Sequence, residues 1–159
     1  MTTDYTPADV YCGLRDQILR LPSECVSTGF SGTVGALMET GHQGAVATLV
    51  VLADGTTSLY LSNGGGIIGA GVHVPVAEAS SAFLQAAERD TALMQRTVAY
   101  PLPRLKHTCF YVLTTSGSWT AESLAQDLGN NRLPLSPLFH LSHAVITAVR
   151  QNSRPPGAA

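Results

Sequence analysis

Asn63, Gly64, Gly65, Gly66, Gly69 and Gly71 stand within the stretch LYLSNGGGIIGAG, after a strand-like run and before a helix-like one. Successive glycine N–H groups can converge on an anion, because no Cβ obstructs its approach. Gly64, Gly66 and Gly69 also satisfy the G-x-G-x-x-G spacing of dinucleotide-binding turns. That fingerprint belongs to a parallel βαβ unit with an acidic residue at the end of the following strand. Here the preceding strand closes an antiparallel hairpin. Five residues, Ala70 to Val74, separate Gly69 from Pro75, where the next helix opens, so dinucleotide binding is set aside. Two readings remain for residues 63–71: a ligand-binding loop, or glycines that only let the backbone turn and pack closely.

Other chemistry is sparser. His140 and His143 are three apart on a helical run and could place two imidazoles on one metal. A zinc site takes three or four protein ligands, however. No HExxH frame is present, and three cysteines are too few to complete a cluster. With Thr147 and Arg150 on the same stripe, the pair reads as a polar helix face. His107 and Cys109 share one strand face, but a thiol in the apolar run TCFYVL is ordinarily a small buried hydrophobe. A neighbouring base would have to activate it. Glu39 reads as the end of the first strand, beside His42 in the turn. Such a pair could do acid–base work, while a solvated turn accounts for it more simply. Asp54 belongs to a hairpin, and Glu78 and Glu88 to a helix with polar neighbours. No catalytic residue, metal site or cofactor is expected.

A length of 159 residues fits one domain, expected over 1–152 with a disordered tail at 153–159. A net charge of −2 supplies no footprint for nucleic acid or an anionic membrane, and the densest basic stretch is only PRLKH, Arg104 to His107. The charged fraction of 13% is about half the usual ~25%. A surface so poor in charge is weakly protected against self-association, so a homodimer is expected. The start of the chain lacks a basic and apolar signal-peptide pattern, and no apolar run approaches a membrane span. Cys12, Cys25 and Cys109 form no CxxC pair. These features together predict a cytoplasmic protein with free thiols.

The elements that position these residues follow from periodicity. Thr6 and Pro7 open a helix whose apolar face is Val10, Leu14, Ile18 and Leu21, and which Pro22 stops. Residues 23–32 are a connection. TVGALMET, AVATLVVLA and TTSLYLSN then form a meander, turning at GHQG and at Asp54-Gly55. AVATLVVLA is apolar almost throughout, so it should be covered on both faces. A helix over Val74–Gln95 buries Val76, Ser80, Phe83, Ala87 and Met94. AYPLPRLKH is extended, TCFYVLTT and SWTAESLA form a hairpin, and QDLGNNRLPLSP is a loop. Ser136-Pro137 opens the last helix, through Leu141, Val145 and Val149. The fold expected is α+β: a five-stranded antiparallel sheet, a three-strand meander plus a hairpin, packed with three helices.

In order of elements the chain resembles the profilin-like roadblock/dynein-light-chain domains, with one departure: three strands rather than two precede the middle helix. The stretches METGHQGAVATLVVLADGTTSLYLSNGGGIIGAG and DLGNNRLPLSPLFH resemble an uncharacterised family of bacterial proteins. The roadblock resemblance implies a small non-enzymatic module that dimerises and acts on a protein partner. The expected function is accordingly a self-associating interaction or regulatory module without catalysis. The alternative is a small-molecule or nucleotide-binding protein, perhaps an enzyme, using the loop 63–71.

Overall fold

A computed structural model describes residues 6–24 and 32–153. Most of the connection expected at 23–32 lies outside the described residues, as do Cys25 and the tail beyond Ser153. The elements are α1 (Asp9–Glu24), β1 (Thr33–His42), β2 (Ala45–Leu52), β3 (Thr57–Leu61), β4 (Gly66–Ile67), α2 (Val74–Arg89), β5 (Gln95–Thr97), β6 (His107–Thr114), β7 (Gly117–Leu124), α3 (Ala125–Gly129) and α4 (Ser136–Asn152). Short 3-10 turns flank α2 at Ala70–Val72 and Asp90–Leu93.

All strand pairs are antiparallel, in the order β4-β3-β2-β1-β6-β7-β5. The α+β class and the antiparallel meander match expectation. The sheet has seven strands rather than five, and there are four α-helices rather than three. The additions are short. β4 has two residues, β5 has three and α3 has five, too few to display a period of two or of 3.6.

Strand parity sorts the core into two layers. Ala36, Met38, Leu49, Val51, Phe110 and Val112 face α2 and α4, which contribute Val76, Phe83, Leu84, Leu138, Val145 and Val149. Leu37, Val50, Tyr60, Cys109 and Tyr111 face the other way, toward Tyr11, Leu14 and Ile18 of α1 and toward Tyr100 and Leu102 of the β5–β6 linker. Helix α2 buries Val76, Ser80, Phe83 and Ala87, but ends at Arg89, and Met94 packs on the core from beyond it. Helix α1 runs past Pro22 to Glu24, although the proline has no N–H to give the Ile18 carbonyl. Its buried face is also rotated from the expected one. Val10 is 58% exposed, whereas Tyr11 and Arg15 are buried.

Candidate functional site

The glycine segment forms the β4 end of the sheet. Gly66 lies in β4 opposite Tyr60, and a Cβ there would stand 2.6 Å from the Leu59 carbonyl oxygen. A Cβ on Gly71 would collide with the Gly55 carbonyl in the β2–β3 turn. These two glycines let the chain fold back against the meander. Several amides of the segment have partners within the protein. Gly64 N–H donates to Leu61 O (2.9 Å), Gly65 N–H to the Asn63 Oδ1 (3.2 Å) and Gly69 N–H to Ser58 Oγ (3.3 Å). Asn63 through Gly66 and Gly69 are exposed, and Gly69 and Gly71 border a cleft of about 230 Å³ with Asp54, Gly55, Thr56 and Val72. The six residues thus sit along one edge, with three of their donors turned to their own chain.

The sheet interior holds a polar cluster on the α1 side. Glu39 is fully buried in the body of β1, between Thr48 of β2 and Cys109 of β6. Its carboxylate accepts from Arg15 Nε (2.7 Å), Arg15 Nη2 (2.8 Å) and Thr48 Oγ1 (2.8 Å), with Tyr11 Oη at 3.4 Å. Arg15 Nη2 also donates to Tyr100 O (2.9 Å), which ties the β5–β6 linker to α1. Burial opposes the charge on Arg15, but hydrogen bonding and attraction to Glu39 outweigh it and hold the guanidinium above its ordinary pKa. Burial raises Tyr11, Tyr111 and Cys109. The hydroxyls therefore stay protonated, and Cys109 lacks the lowered pKa of a reactive thiol. Tyr111 donates to Pro101 O (2.6 Å) and Tyr100 to Ser118 Oγ (2.7 Å). Among the described residues, no buried side-chain nitrogen or oxygen is left without a partner. Such a cluster holds α1 and the linker on the sheet.

The remaining residues singled out in the sequence are scattered. His107 Nδ1 pairs with Leu105 O (3.0 Å), and Cys109 Sγ lies 3.5 Å from Thr120 Oγ1. His140 Nε2 pairs with Asn131 Oδ1 (2.8 Å), while His143 packs on Phe139 with ring centroids 4.3 Å apart. The His143 pKa is lowered, by desolvation first and then by the charges of His140, His42 and Arg150. Among the described residues, no group of three or more His, Cys, Asp or Glu side chains could hold a metal. Asp54 Oδ1 accepts from Thr56 N–H (2.9 Å), a local turn contact.

Sequence reading placed Glu39 at a strand end and missed its burial and its partner. The signal was available: Glu39 alternates with Leu37 in a strand two residues longer than expected, and Arg15 lies one helical turn beyond Tyr11. Comparison with protein families, with curated proteins and with solved structures gave no match, so the function is argued from the geometry of this chain alone.

Proposed function

We propose that this chain is a non-catalytic interaction module that self-associates through the β4 end of its sheet and acts in the cytoplasm on a protein partner. The observation that carries the reading is a sheet edge lined by exposed apolar side chains and poor in charge, with Asp54 at its border. Proteins normally protect an exposed edge with charge, because unpaired strand backbone invites pairing with another chain. β4 pairs only with Leu59 and Tyr60 of β3. No Asp, Glu, Lys or Arg occurs between Asp54 and Glu78. Ile68, Val72 and Val74 around that edge are 67%, 84% and 67% exposed. Val10 of α1 is exposed beside Gly64 at the same end, and the start of α1 is fastened there by Ala8 N–H donating to Ser62 O (2.7 Å). A second copy fits such a surface. Across a two-fold axis an apolar patch with so little charge meets itself with little like-charge repulsion.

The internally paired Arg15–Glu39 cluster agrees with this reading. A ligand in the loop 63–71 is the competing reading, and the bonded amides of Gly64, Gly65 and Gly69 weigh against it. Native mass spectrometry of the untagged protein separates the two. The expected result is a dimer of bare chains. A monomer carrying a reproducible extra mass that is lost on denaturation would replace the module with the binding protein.

A further inference from the structure

The stretch PRLKH holds the only lysine of the sequence, and its backbone is uncommon. Lys106 takes φ +65°, a left-handed conformation that suits glycine and asparagine and is unfavourable for lysine. The linker crossing imposes it. Lys106 N–H donates to Gly41 O (2.7 Å), Lys106 O accepts from Ala125 N–H (2.9 Å), and Leu105 bridges Gly41. A Cβ on Gly41 would collide with the Arg104 carbonyl, so the close approach needs glycine.

Three segments thereby meet at one end of the sheet: the β1–β2 turn, the linker, and the junction of β7 with α3. They border an open pocket of about 410 Å³, within the size range of small-molecule sites, roughly 300–1,000 Å³. Leu105 and Leu124 give it an apolar wall and are 37% and 45% exposed. Lys106, His42, Gln43 and Gln126 are also among its lining residues. Among the described residues Lys106 has no carboxylate partner. Glu122, two residues before Leu124 on β7, is already paired with Arg104 (3.0 Å).

We infer that this cavity binds a small monocarboxylate with an aromatic or branched aliphatic body. The carboxylate meets Lys106, and the body lies on Leu105 and Leu124. A single lysine is a point charge, suited to one anionic group rather than to a polyphosphate. The left-handed backbone, held by its two hydrogen bonds, fixes the root of that side chain at the cavity.

The test is an amide chemical-shift titration with phenylacetate, its uncharged isostere 2-phenylethanol, and inorganic phosphate. Phenylacetate should give saturable shifts centred on residues 41–43, 105–107 and 124–126, with at least tenfold weaker binding of the alcohol and of phosphate. Lys106→Met should weaken phenylacetate by the same factor. The absence of saturable shifts at millimolar phenylacetate would overturn the inference. So would equal binding of acid and alcohol to the unaltered protein, or phosphate binding as tight as phenylacetate. The acid–alcohol comparison needs no variant and stands even if Lys106→Met does not fold.

Discussion

Arg15 and Glu39 are the pair of residues on which the α1 side of the molecule turns. Removing one partner leaves a charge buried without compensation, which typically costs about 3–5 kcal/mol. Arg15→Met should therefore lower unfolding stability by that order in a urea titration, while Arg15→Met combined with Glu39→Leu recovers most of the loss. Equal destabilisation by single and double variants would mean that packing, not charge, holds the helix. His143 supplies a pH dependence of defined sign. Its folded pKa lies below the ordinary 6.5, so below about pH 6.5 the unfolded chain takes the proton more readily. Stability is complete above that pH and declines as pH falls through the lowered folded value. His143→Gln should make the acid-side decline shallower in thermal melts between pH 7 and 5, and an unchanged slope would contradict the lowered pKa. Single-residue chemistry was the least legible level in the sequence. Glu39 read as a strand end; its alternation with Leu37 signalled burial, but nothing local in the sequence names a partner 24 residues away.

At the scale of elements, the meander and the β6–β7 hairpin were readable as apolar, β-branched runs of five or more residues bounded by turn residues, and helix α2 by its period-3.6 pattern. β4 and β5 were not, since pairing with a neighbour rather than local pattern defines a strand of two or three residues. The face of α1 was misjudged for a related reason. Tyr11 and Arg15 look surface-compatible, and the acceptors Glu39, Thr48 and the Tyr100 carbonyl make their burial favourable. The glycine segment belongs to this scale too. Gly71→Ala places a methyl group against the Gly55 carbonyl, and overpacking of this kind costs about 1–3 kcal/mol. The same loss should appear in denaturation whether or not any ligand is present. A variant of unchanged stability would show that the β2–β3 turn yields easily and that the glycine is kept for another reason.

Over the whole molecule, the sheet is covered on one face by α2 and α4 and on the other by α1 and the linker, which leaves its edges as the surfaces open to pairing. No helix among the described residues is long and apolar enough to cross a membrane. The low charge of the composition was legible from the start, but its location was not. Only the fold shows that the stretch between Asp54 and Glu78 borders the β4 edge with Ile68, Val72 and Val74 outward. Sedimentation equilibrium at micromolar concentration, comparing the unaltered chain with Ile68→Glu/Val72→Glu, tests the self-association claim most directly. The account predicts twice the 16.7 kDa chain mass for the unaltered protein and a monomer of unchanged circular dichroism for the variant. A monomeric unaltered chain, or a dimer that survives both charges, would contradict it.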